Sequence, residues 1–126
     1  DDYRGRLAKK FGELAQKARA SAQTIHWYEL AWEALPEARG ELDYAIAFCY
    51  EQAGDLAAAL HRYRAIAQPP WQVRGQLAAA KLMERDQQWQ DAMAIYKTIT
   101  QQPVPEAKIA KERLALLERA HIVHSP

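Results

Sequence analysis

Residues 40–70 read GELDYAIAFCYEQAGDLAAALHRYRAIAQPP, and two short amphipathic helices joined by a tight Gly54-Asp55 turn account for the whole stretch. Ile46, Ala47 and Tyr50 share one face of the first helix, and Ala59, Tyr63 and Ile66 share one face of the second, at the three- and four-residue spacings a helix imposes. Gly54 lacks a Cβ and so permits the left-handed conformation that ends a helix. Pro69-Pro70 closes the second helix, because proline offers no amide donor and disfavours helix at the residue before it. Ala59, Tyr63 and Ile66 recur as Ala92, Tyr96 and Ile99, each 33 residues on. A fixed period of this size is the mark of a helical repeat array.

Outward from this stretch, Ala, Leu, Gln, Glu, Lys and Arg dominate, β-branched residues are sparse, and Gly or Pro punctuate at intervals. The reading is helix throughout, with no strands. A first helix is expected over 4–21, with Leu7, Phe11, Leu14, Ala15 and Ala18 on one face. The next, capped by Ser21 or Thr24, carries Ile25, Tyr28, Trp32 and Leu35 and stops before the PEARG break at 36–40. Helices then follow at 41–53, 56–68, 72–85, 89–100 and 105–121, the last with Pro105 at its start and Glu106 in its first turn. A frayed tail, IVHSP, is expected beyond it. Connections this short make neighbours antiparallel, hence stacked helix hairpins.

Composition narrows the function. The chain has 126 residues and is 49% hydrophobic, enough for one domain with a continuous core. No apolar run has the length of a membrane span. A chain that opens on Asp rather than Met is expected to be a piece of something longer. The single cysteine, Cys49, rules out an internal disulfide framework and a multi-cysteine zinc site. A net charge of +1 does not suit a dedicated nucleic-acid binder. Charge is nonetheless uneven: residues 3–24 hold six Lys or Arg against Glu13, whereas residues 25–55 hold seven acids against Arg39. Either the basic first helix sits on the acidic segment, or it forms a docking surface.

These residues resemble the tetratricopeptide repeat, a helix-turn-helix unit. Ile46, Ala47 and Tyr50, the Gly54-Asp55 turn, and Ala59, Tyr63 and Ile66 match its pattern; so do Ala79, Ala80, Met83, Trp89, Ala92, Tyr96 and Ile99, although Gln87-Gln88 stand where the Gly-Asp turn would be. The resemblance implies an all-α, right-handed superhelical solenoid of stacked antiparallel hairpins within one domain. Residues 4–38 would be a degenerate first repeat, in which Trp32 and Leu35 align at a period nearer 31; 40–70 and 72–102 would be the two clear repeats, and 105–121 a capping helix with Ala110, Leu114 and Leu117 inward and a charged outer face. The YKTIT and LALLER stretches look similar to bacterial envelope members of the family, while cytoplasmic scaffolds share the same residues.

The resemblance further implies a partner protein or peptide in the concave groove, with no cofactor and no membrane insertion. The outward positions of the first helices would contact it: Glu41, Tyr44, Phe48, Glu51 and Gln52 in the central unit, and Arg74, Leu77, Lys81, Glu84 and Arg85 in the next. Other chemistry is poorly supported. Glu118, His121 and His124 have a spacing that places two metal ligands on one face, but a bundle metal site needs a second such pair, which the sequence lacks. His26 and His61 read as surface or packing residues, and Cys49 as a small buried filler. No phosphate loop, nucleophile elbow or paired-carboxylate motif appears, so no enzymatic activity is expected. Trp89 is expected to pack on its turn. Trp71 is either a convex-side anchor or a plug between repeats, and one of Trp27 and Trp32 should be exposed. Two alternatives stand beside the groove: a spacer or self-associating piece of a longer array, and an RNA-binding helical repeat, which the net charge disfavours.

Overall fold

The computed structural model describes residues 2–122, with side chains over 3–120. Within them the chain forms seven α-helices and no strand: α1 (Asp2–Lys17), α2 (Ser21–Ala34), α3 (Arg39–Gln52), α4 (Leu56–Arg64), α5 (Trp71–Arg85), α6 (Trp89–Thr100) and α7 (Glu106–Ile122), with a 3-10 turn at Pro36–Ala38. The expected tail beyond 122 and the His124 spacing lie outside the described residues. The chain divides into two compact units within the first turn of α5, one ending at Gln72 and the other beginning at Val73.

Three turns share one backbone geometry. Gly54 takes φ +86°, and its N–H donates to Glu51 while the Asp55 N–H reaches back to Tyr50 O at 3.0 Å. This pair of bonds satisfies the carbonyls that a helix end leaves open. Gln87 repeats the conformation at φ +60°, with Gln88 N–H on Met83 O at 2.8 Å. The missing glycine therefore does not change the turn. Arg19 does the same at φ +58°, with Ala20 N–H on Ala15 O at 2.9 Å. That third turn fixes the register of the first hairpin, 35 residues before Gly54.

In that register Thr24, Tyr28 and Ala31 correspond to Ala59, Tyr63 and Ile66, and all six are buried. The alignment through Trp32 and Leu35 at a period near 31 is thus replaced: the 3-10 turn at Pro36–Ala38 adds residues between the hairpins. Ala20, not Ser21 or Thr24, is the N-cap of α2. Thr24 lies inside the helix with Oγ1 donating to Ala20 O. At α4 a side chain does what a cap does, Asp55 accepting from the Ala58 N–H at 3.1 Å.

Each hairpin is then braced at one point. The Tyr28 hydroxyl donates to Gln16 Oε1 at 2.9 Å, the Tyr63 hydroxyl to Glu51 Oε1 at 2.9 Å, and the Tyr96 hydroxyl to Glu84. The acceptor stands 12 residues before its tyrosine every time. Small residues let the helices come this close: Ala47, Ala59, Ala80 and Ala92 have no exposed surface. At Gly12 even a Cβ would sit 2.5 Å from the Tyr28 ring.

In the first unit α2 packs on both α1 and α3. The core between them joins Ala8, Tyr28, Ala31, Leu35, Leu42 and Ile46. Helix α4 ends at Arg64, earlier than the proline pair requires. Gln68 is instead a strut outside the helix, accepting from the Gly40 N–H at 2.6 Å and donating to Pro36 O at 2.7 Å. In the second unit α7 packs on α6, burying Ala110 and Leu117 and half-burying Leu114. Its outward side carries Lys108, Lys111, Glu112 and Arg119, but also exposed Ile109 and Leu116, so it is less uniformly charged than the sequence reading expects.

Candidate functional site

Helix α3 is held from both sides in the first unit. Against α4 it is fixed by the Tyr63–Glu51 brace. Towards the first hairpin, Arg62 of α4 reaches across to Asp43 of α3, with Nε at 2.9 Å, and to Glu29 of α2 with both terminal nitrogens, at 2.7 and 3.2 Å. The Lys9 ammonium adds a 2.6 Å pair with Glu41. That contact joins the basic first helix to the acidic segment, while Arg4, Arg6, Lys10, Lys17 and Arg19 remain exposed.

The electrostatics follow from burial. Asp43 is 8% exposed, and desolvation raises its carboxyl above the ordinary value, an effect that Arg62 only partly offsets. Burial works against the Arg62 cation, but hydrogen bonds to Glu29 and Asp43 outweigh it and raise its pKa. Burial, with Glu13 next, pushes Tyr28 up to about 12; Tyr63 and Tyr96 are driven higher still, by burial first and then by the carboxylates they bond. In the second unit burial alone would raise Glu84. Hydrogen bonds from Arg113 and Tyr96, with the charges of Arg113 and Lys81, outweigh that and lower it.

The sequence-predicted contact residues have distinct placements. Phe48 is 39% exposed and stands beside exposed Gln52 at a cavity of about 430 Å³, lined also by Gln16, Arg19, Ser21, Thr24 and Cys49. Tyr44 is half-buried, with its ring 5.3 Å from Tyr63 and 5.6 Å from Trp71. Glu41 is engaged by Lys9, and Glu51 by Tyr63. In the second unit Arg74, Lys81 and Arg85 are exposed, Arg74 lying 3.6 Å from Glu106. Leu77 is buried, and Glu84 accepts from Tyr96 and Arg113. Phe48 and Gln52 come together at this cavity.

No family model, curated protein or solved structure matches this chain. Cys49 is buried and its thiol is raised by desolvation, which suits a filler rather than a thiolate nucleophile. Among the described residues no three His, Cys, Asp or Glu side chains are grouped to hold a metal ion, and no helix is long and apolar enough to cross a membrane. His26 and His61 are exposed, His26 edge-on to Trp27. Trp71 plugs the first unit against Tyr44 and Gly40. Trp27 and Trp32 are both half-buried, one on Phe11 and the other under the Arg39 guanidinium at 4.2 Å.

Sequence reasoning missed the Arg62 clamp and the tyrosine braces. The braces had a signal: Gln or Glu followed 12 residues later by Tyr occurs at 16, 51 and 84. The clamp had none, since its partners stand 19 and 33 residues before Arg62 and the equivalent positions of the other hairpins hold Trp27 and Ile95.

Proposed function

We propose that this chain is a protein-interaction module of the tetratricopeptide kind. Three hairpins stack into a right-handed superhelix closed by a capping helix, and a peptide segment of a partner protein binds along the first helices of the hairpins. The shared turn and the shared tyrosine brace at Tyr28, Tyr63 and Tyr96 support the repeat. The observation that carries the binding reading is Phe48. It is an exposed aromatic beside a cavity, on a helix immobilised from both sides, at a register position filled by Glu13 and Lys81 in the other hairpins. An aromatic at a polar position is the usual form of a binding anchor.

Arg19 on the cavity wall favours a peptide with an apolar residue beside an acidic one. Binding is an equilibrium on a preorganised surface, with no covalent step. Selection of peptides from a random display library, followed by amide chemical-shift mapping of the best binder, tests this. Shifts centred on 16–19 and 48–52 are expected. Failure to select any binder, or shifts that leave both stretches unchanged, would refute it. Phe48→Ala is the appropriate control, because Tyr44 packs on Tyr63 and Trp71 and its loss would also disturb the fold.

A further inference from the structure

Helix α1 carries an apolar stripe that its own unit leaves partly open. Leu7 is 41% exposed, Phe11 40% and Leu14 60%. The register set by Arg19 and Gly54 makes these residues the counterparts of Leu42, Ile46 and Cys49 on α3. Those three are buried, and Leu42 and Ile46 share their core with Tyr28, Ala31 and Leu35 of α2. The same face of the same kind of helix is therefore helix-covered in the second hairpin and open in the first.

The open face is also built differently from an internal one. The counterpart of the clamp residue Arg62 is Trp27, whose ring packs 4.9 Å from Phe11. Next to it lies an apolar cavity of about 400 Å³ between α1 and α2, walled by Leu7, Phe11, Trp27 and Leu30, with Arg4 beside them. That volume accepts one large apolar side chain. The charge that α1 sets around the stripe is mostly basic: Lys10 lies between Leu7 and Leu14 at helical spacing, Lys17 follows Leu14, and both are exposed, as are Arg4 and Arg6, against Glu13 on α1 and Glu33 near Leu30 on α2. A contiguous apolar patch rimmed by charge is a docking surface rather than scattered surface apolarity.

We propose that the α1 stripe is a second docking surface, for an amphipathic helix of a partner protein that carries acidic residues beside its apolar face. The helix that covers the equivalent stripe on α3 has that character: α2 contains Glu29 and Glu33 and neither Lys nor Arg. A second copy of this chain fits less well, since apposed α1 helices would bring two basic rims together.

The test uses two lactam-stabilised helical peptides with the same Leu/Ile stripe, one flanked by Glu and the other by Lys, each labelled for fluorescence anisotropy against the full chain. The Glu peptide is expected to bind, to weaken about tenfold with Leu14→Glu, and to weaken with added salt. The Lys peptide is expected not to bind. Leu14 is the most exposed residue of the stripe, so its substitution leaves the fold intact; Lys10→Glu, which removes no apolar contact, should weaken the Glu peptide in the same direction. Equal binding of both peptides, or binding of neither, would overturn the proposal. So would concentration-dependent dimerisation in light scattering that Leu14→Glu abolishes, because the stripe would then belong to a second copy.

Discussion

Arg62→Met replaces a guanidinium with an apolar stem and strands Asp43. Arg62 and Asp43 side chains are 20% and 12% exposed, whereas Glu29 is 44% exposed. The Glu29 half of the clamp is solvent-screened and contributes under about 1 kcal/mol. Breaking a buried pair by removing one partner costs about 3–5 kcal/mol. Asp43 can relieve part of that by taking up a proton, its carboxyl being raised already by burial. The net loss expected is about 2–3 kcal/mol, and with a urea m-value of about 1–3 kcal/mol/M the midpoint followed by helical circular dichroism should fall by roughly 1 M. Asp43→Leu removes the stranded charge. In that background Arg62→Met should lose only the Glu29 share, leaving a coupling of about 2 kcal/mol. The gap between wild type and Arg62→Met should also narrow as pH falls and Asp43 protonates. An Arg62→Met midpoint within about 0.2 M of wild type, or an equal loss in the Asp43→Leu background, would refute the clamp.

Two further outcomes follow from the turns and the braces. Arg19 and Gln87 hold the left-handed conformation with a Cβ and are exposed, a strain of about 1 kcal/mol each, so Arg19→Gly and Gln87→Gly should each raise the melting temperature, and Gly54→Ala should lower it; opposite signs in thermal unfolding would show that the three turns are not equivalent. Tyr28 is raised from 10.0 to about 12, with Tyr63 and Tyr96 higher. Because the folded state holds these protons more tightly than the unfolded one, their contribution is complete below pH 10; that of Tyr28 is lost as pH climbs through about 12, and those of Tyr63 and Tyr96 are lost higher still. Tyrosinate absorbance should therefore rise for the exposed tyrosines first and for these three only with unfolding.

Much of the fold was legible. The helices, the Gly54 stop and the 33-residue recurrence of Ala59, Tyr63 and Ile66 needed only local rules of spacing and turn chemistry. The first hairpin was harder because its turn, Arg19-Ala20, shows no glycine, and because Pro36–Ala38 lengthens the spacing to the next turn. Fixing that register required the backbone. The early end of α4 was equally hidden, since Gln68 is drawn out of the helix by partners 28 and 32 residues away. Of the expected contact residues, Phe48 and Gln52 stand at a cavity, whereas Tyr44, Glu51 and Glu84 are engaged within their own hairpins or by α7. A residue that points outward from one helix can still meet its neighbour, and spacing along a single helix does not reveal which ones do.

The binding reading stands or falls on Phe48. Titration calorimetry of the selected peptide against wild type, Phe48→Ala and Leu14→Glu separates the cavity from the α1 stripe in one comparison. The account predicts that Phe48→Ala weakens binding by about tenfold or more while Leu14→Glu binds as wild type does. Equal affinity for wild type and Phe48→Ala would contradict it.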